Sequence, residues 1–271
     1  MGIPVLDVGK TVDGVDPSWW SWDGAHGGYS AALALTAARD HLVALGEEPR
    51  PVRTLITHFL TPVDQRPLHF ATHTPRAGRR AAVSTFTGRQ GGEAALTGTA
   101  LFGQGGAGPA YSAWPTPPVP GPEGCGPIGL PQELAPFARH LEIRPATGAR
   151  PLGGGERAEL VAWIRFADGR QLDAEAVVIL TDALPPALFA VWTSPRPVPT
   201  AELTVHFTDA LDAGPVDGWA LVRMRTEHAG SGWAIDDSTV WSGDGRLLAL
   251  AQQARIIQPT VRDGAEEGRH A

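Results

Sequence analysis

The sequence predicts an α+β protein built twice over, a helix followed by an antiparallel sheet and then the same order again. Three observations predict it. A proline-free segment rich in Ala and Leu lies near the start and is followed by strand-like runs with no further helix. A stretch dense in Pro and Gly then breaks the chain at 105–134. Beyond it, two short words of the first half return in the same order.

The first helix is expected over GGYSAALALTAARDHLVALGEE, from Gly27 to about Gly46. Ala and Leu favour helix, and a segment apolar on most sides belongs in a core rather than on a surface. Gly46, then Pro49 and Pro51, supply the stop. Strand-like runs follow at 52–63, at 68–90 (two strands, or one long bent one) and at 93–104, where Thr, Val and Phe alternate with polar residues. GRQGG at 88–92 reads as a hairpin turn. Residues 105–134 hold too much Pro and Gly for either element type and read as a linker.

In the second half, strands are expected at 138–146 and 156–167, then a short helix within TDALPPALFAVW (181–192), whose prolines are tolerated in a first helical turn. Four strands follow at 201–211, 218–230, 232–243 and 245–257. ITHFLTP around His58 is echoed by TVHFTDA around His206, and ALTGTALF near residue 100 by LALAQQAR near residue 253. Duplication explains two matches in one order. The predicted organisation is a first domain at 1–104, the linker at 105–134, a second domain at 135–259 and a flexible polar tail at 260–271.

Composition narrows the function. A net charge of −7 gives no basic footprint for nucleic acid or an anionic membrane. Cys125 is the one cysteine, which excludes an internal disulfide framework and suits a reducing cytoplasm. The start MGIPVLDVGK has no secretory pattern, Leu6 stands where a myristoylated chain carries Ser or Thr, and no run is long and apolar enough to span a bilayer. No metal spacing, P-loop, GxGxxG or GxSxG is present, so neither a metal nor a cofactor is expected.

Certain words in this order resemble the TesB-like acyl-CoA thioesterases: HGGYSAAL (26–33), THFLTPV (57–63), AGRRAAVSTFTGRQGGEAALTGTALF (77–102), LEIRP (141–145), AWIRFADG (162–169), LTDALPPAL (180–188), TAELTVHF (200–207) and DGRLLALAQQA (244–254). The resemblance implies two fused hot-dog domains, each a long helix wrapped by an antiparallel sheet. It implies hydrolysis of acyl-CoA, or of an acyl carrier protein thioester, and is compatible with a homo-oligomer. It also implies a water held by an Asp at the start of the second helix, a Thr before the next strand and a Gln on the last strand. The matching residues are Asp182, Thr200 and Gln253; in the first half Gly27 and Ala100 face Asp182 and Gln253 in the repeat, which leaves one polar set per chain.

The chemistry suits those residue types. A carboxylate takes the water's proton, while a hydroxyl and an amide fix the water's angle. Backbone N–H groups at a helix start receive the developing oxyanion, and Gly27 and Gly28 let a thioester approach closely. Each residue also has a plainer role: Asp182 as a helix N-cap, Thr200 as a strand-edge hydroxyl, His26 as a capping or turn residue. Gln253 interrupts an apolar strand, but a shift of one residue would exchange it with Gln252. Arg79 and Arg80, with Arg76 and Arg89, flank the first-half hairpin and are candidates for the phosphates of coenzyme A, or plain solvated charges. His58 and His206 read as packed strand residues, and Trp19, Trp20 and Trp22 as packing over the sheet edge or walling an acyl pocket. Two rival functions stand beside hydrolysis. One is a hydratase or dehydratase of this fold, although its Asp-x-Asn-x-x-x-x-His pattern is missing. The other is a non-catalytic acyl-thioester-binding or scaffold protein.

Overall fold

Every strand longer than two residues joins one antiparallel sheet, and the order of its strands shows how the two halves meet. The computed structural model describes residues 9–259. In chain order these form β1 (Lys10–Val12), a small hairpin of β2 (Trp20–Ser21) and β3 (Gly24–Ala25), α1 (Gly27–Ala44), β4 (Val52–Phe59), β5 (Leu68–Ala77), β6 (Ala81–Gln90) and β7 (Glu93–Gly103). The second half adds β8 (Leu141–Pro145), β9 (Glu159–Phe166), α2 (Ala174–Thr181), β10 (Thr200–Phe207), β11 (Ala220–Gly230), β12 (Trp233–Ser242) and β13 (Leu247–Ile256). The sheet runs β1-β5-β6-β7-β4-β10-β13-β12-β11-β9-β8. The halves are therefore fused edge to edge through β4 and β10, and pairing removes what would be two exposed strand edges. The expected tail at 260–271 lies outside the described residues.

The β4–β10 ladder proves the repeat geometrically. Glu202 pairs with His58 and His206 with Thr54, so an offset of 148 residues maps the ladder onto itself about the Ile56–Thr204 pair. Each strand carries a register break at the same place, between Val52 and Thr54 in β4 and between Thr200 and Glu202 in β10. Such bulges twist a strand and re-aim the side chain beside them. The helices α1 and α2 pack against one face of the sheet and against each other, giving the helix-wrapped layout expected twice. The core is continuous across the halves, running from Leu35, Leu55 and Phe102 to Ile179, Leu203 and Leu248.

The helix α1 forms where the sequence predicts it, with Ala31, Ala32, Ala34, Leu35, Ala37, Ala38 and Leu42 buried. Small Ala side chains let α2 approach closely. The second helix lies elsewhere than expected. It covers Ala174–Thr181 and ends before Asp182, whereas TDALPPALFAVW yields only a short 3-10 turn at Ala187–Ala190. Val177, Val178 and Ile179 are β-branched and weak helix formers, but every residue from Glu175 to Thr181 is buried, and burial overrides propensity. Asp173 caps the start, its carboxylate accepting the Ala176 N–H at 2.7 Å. Pro185 and Pro186 deny continuation.

The Pro/Gly-rich stretch at 105–134 connects the halves but does not hang free. The Trp163 and Trp241 indoles donate to the carbonyls of Pro120 and Trp114, and Ile128 bridges Ile143. This strap covers the outer face of the second half, over Trp163, Leu221 and Trp241. No described helix is long and apolar enough to cross a membrane.

Candidate active site

Two helix ends meet at Asp182. It is the C-cap of α2, where the dipole disfavours an anion, so its neighbours must offset that. The start of α1 does so: the Gly28 N–H donates to Asp182 Oδ2 at 2.9 Å. His26 caps α1 by accepting the Tyr29 N–H at Nδ1, which leaves Nε2 as the donor to the Asp182 carbonyl at 2.8 Å. Its Nε2 also lies 3.4 Å from Asp182 Oδ2. Glycine is required on this stretch of α1. A Cβ on Gly27 would stand 2.9 Å from Asp182 Oδ2, and one on Gly28 would stand 3.0 Å from the Val178 carbonyl.

Thr200, Gln253 and Arg255 come from the paired strands β10 and β13. The Thr200 hydroxyl donates to Gln253 Oε1 at 3.1 Å, and Gln253 Nε2 donates to the Thr181 carbonyl at 3.1 Å. Gln253 faces the interior at 0% exposure, while Gln252 faces outward and donates to Asp237. Arg255, two residues along and on the same face, inserts between Asp182 and Thr200. Its Nη2 lies 3.2 Å from Asp182 Oδ1 and its Nη1 donates to Thr200 Oγ1 at 2.8 Å. Its Nε lies 2.9 Å from Asp236 Oδ2, an ion pair without the alignment of a hydrogen bond. Asp236 is fully buried and accepts the Thr226 hydroxyl at 2.6 Å. The carboxylate, hydroxyl and amide named by sequence do gather in one place, but they are joined through a guanidinium.

A cavity of about 450 Å³ opens onto this cluster, within the range of small-molecule sites. His26, Gly27, Asp182, Thr200 and Arg255 supply its polar end, and among the described residues Asp23 is the only other charged one on its wall. Most of the rest is apolar, Phe59, Leu134, Phe137, Leu184, Phe189 and Val198 with eight prolines that include Pro131, Pro185, Pro186 and Pro199, and Ser21, Ser30, Thr61 and Gln258 are the uncharged polar residues among it. Proline has no N–H to satisfy, so this wall presents few backbone donors to an apolar ligand. Trp22 lines the cavity too, while Trp19 stacks between Tyr29 and His140.

Other expectations need correction. Asp182 is not an N-cap. Nor is Gly27 its repeat partner: the helices start after His26 and Asp173, so the residue matching Asp182 is Leu35, and Gly27 is instead its spatial neighbour. Arg79 and Arg80 are exposed in the β5–β6 turn, beside the start of β4, where the Arg80 backbone carbonyl accepts the Gln104 N–H. Thr200 lies beside the end of β4, so neither arginine lines the cavity. The adjacent, antiparallel running of β4 and β10 separates them, which residue type alone cannot reveal. His58 and His206 are exposed on the outer face rather than packed. Arg255 and Asp236 were missed. The two-residue spacing of Gln253 and Arg255 was a usable signal, since alternation puts both on one face; the Asp236–Asp237 pair offers none.

The comparisons with known proteins agree over most of the chain. Residues 16–103 match the family model of the acyl-CoA thioesterase N-terminal domain, and residues 115–257 that of the C-terminal domain. Among solved structures, a hot-dog protein of unknown function from Alicyclobacillus acidocaldarius superposes with a TM-score of 0.84 at 25% identity, covering 92% of each chain. A candidate thioesterase from Novosphingobium aromaticivorans gives a TM-score of 0.79 at 25% identity, over 95% of this chain and 100% of that one. An acyl-CoA thioesterase II from Mycobacterium marinum gives 0.70 at 20% identity, over 87% and 90%. No curated protein matches the sequence.

Proposed function

Since the chain belongs to the acyl-CoA thioesterase family in both of its halves and is a thioester hydrolase, we propose that it splits acyl-CoA into free acid and coenzyme A using a water activated at Asp182. The observation that carries this is the cavity itself, a largely apolar chamber whose polar end holds a carboxylate of 9% exposure against the start of a helix.

In this reading the acyl chain lies along the proline and leucine wall, and the thioester carbonyl sits at the polar end. Asp182 takes a proton from water, the water oxygen bonds to the carbonyl carbon, and the carbonyl oxygen becomes an oxyanion. The Gly28 N–H is already given to Asp182. Gly27 lines the cavity, and its N–H, the first of α1, makes no hydrogen bond among the described residues; it is the donor we assign to the oxyanion. The intermediate collapses as the C–S bond breaks, and the leaving thiolate takes the proton that Asp182 accepted from the water, which restores the carboxylate. Thr200 and Gln253 fix the polar end, Gln253 by tying β13 to the end of α2 at the Thr181 carbonyl.

Thiol release from a series of acyl-CoA esters of increasing chain length tests this. Turnover of apolar acyl groups, abolished in Asp182→Asn with an unchanged circular dichroism spectrum, is the expected result. A folded wild-type chain that binds acyl-CoA but releases no thiol from any ester would reduce the protein to a binding module.

A further inference from the structure

Arg255 has no part in the hydrolytic scheme above, yet it is the most heavily paired side chain in the site. Its side chain is 5% exposed and stands between two carboxylates whose side chains are 9% and 0% exposed, Asp182 in front and Asp236 behind. The anchorage runs as a relay of contacts. Thr226 fixes Asp236, Asp236 holds the Nε edge of the guanidinium, and the two Nη atoms then reach Asp182 and Thr200 together. A planar guanidinium presents its donors in a fixed fork, so seating its back edge sets the spacing of whatever its front edge touches.

Stability alone does not require this arrangement. The ladder that pairs Thr200 with Arg255 pairs Val52 with Phe102 in the first half, and that Phe is 1% exposed. The same place in the same fold is thus filled by an apolar ring. Buried ion pairs are commonly no more stabilising than apolar packing of similar volume, so three buried charges here call for another reason. We propose that Arg255, seated by Asp236, is a positioning residue that holds Asp182 and Thr200 in register for the attacking water. The inference rests on the thioesterase reading and adds to it a device that a carboxylate, a hydroxyl and an amide do not supply.

The test compares wild type, Arg255→Lys and the double variant Arg255→Met/Asp236→Asn, each as the full chain, for melting temperature, kcat and KM on one acyl-CoA. The double variant removes one charge of each sign, so what it leaves in the site has the same net charge. It is expected to fold with a melting temperature close to wild type. Its kcat should fall on the order of 10²-fold, the scale of an ångström misplacement, with KM changed by no more than about twofold. Arg255→Lys, which keeps the charge but loses the fork, should fold and lose at least about tenfold in kcat. Guanidinium ion at low concentration should restore part of the turnover of a folded Arg255→Ala chain, whose Asp236 seat is intact, an effect that a merely structural role would not produce. A folded double variant with kcat within about threefold of wild type overturns the proposal, as does a change confined to KM. If the double variant does not fold, an unchanged kcat in Arg255→Lys overturns it instead. A wild-type chain inactive on every thioester sinks the thioesterase reading, and this inference with it, whereas active wild type with indifferent Arg255 variants sinks this inference alone.

Discussion

Equivalent positions in the two halves have gone opposite ways. Around the second helix stand Asp182, Thr200, Gln253, Arg255 and Asp236. The ladder registers and helix starts match these to Leu35, Val52, Ala100, Phe102 and Ser84 in the first half, all buried. Only the last keeps a polar contact, the Ser84 and Thr74 hydroxyls lying 2.9 Å apart just as Asp236 accepts from Thr226. One frame therefore holds either a packed core or a charged cluster. What differs is that the cavity opens beside the charged cluster, whose buried groups also satisfy one another by pairing.

The sharpest way to break this contrast is to alter the matched pair Asp182 and Leu35. Asp182→Asn should lower kcat about 10²–10⁴-fold, the range of a lost general base, with little change in melting temperature; steady-state thiol release together with thermal denaturation reads both. Leu35→Ala should do the reverse, costing about 2–5 kcal/mol of stability as a core truncation. Its turnover per folded molecule, measured well below the melting temperature, should stay within about threefold of wild type. If Leu35→Ala impaired catalysis as deeply as Asp182→Asn, the division of labour between the halves would fail.

A subtler asymmetry concerns Glu175, near the start of α2. Burial pushes its carboxyl above the ordinary range, only partly countered by Arg39 at 3.0 Å. A carboxyl raised in the folded state favours the protonated form, so its contribution to stability is greatest at acid pH. That contribution is lost as pH rises from the unfolded value through the folded one. Glu175→Gln should therefore raise the melting temperature at pH 7 and confer no gain near pH 4, as read by denaturation at both pH values. Equal effects at both would mean that the Arg39 pairing, not burial, governs this group. The smallest effect is expected at the β5–β6 turn. Arg79→Ala/Arg80→Ala should leave KM for acyl-CoA within about twofold, and a rise of about tenfold would bring coenzyme A to the far end of the sheet.

Much of the frame was legible because it depends on local chemistry. The Ala- and Leu-rich run gives α1, and paired glycines at φ +57° and +92° close the β6–β7 hairpin. The fused pair of domains followed from echoes around His58 and His206, although both histidines proved to mark strands by position while pointing to solvent. The second helix was illegible for a physical reason: β-branched residues argue against helix in isolation, and only enclosure by the sheet and α1 reverses that. At the site, Asp182, Thr200 and Gln253 were named because each is a polar residue at a place the resemblance marks. Arg255 escaped because a buried guanidinium makes sense only beside Asp182 and Asp236, and Asp236 lies on another strand.

The site draws His26, Gly27 and Gly28 from one half and Asp182, Thr200 and Arg255 from the other, while Gly105, Gly106, Ala107 and Gly108 between them are exposed. A backbone cut at these residues would leave two fragments held by the β4–β10 ladder and the helix pair, still sharing the one proposed site. Either fragment produced alone would be inert, and mixing the two should bring hydrolysis back.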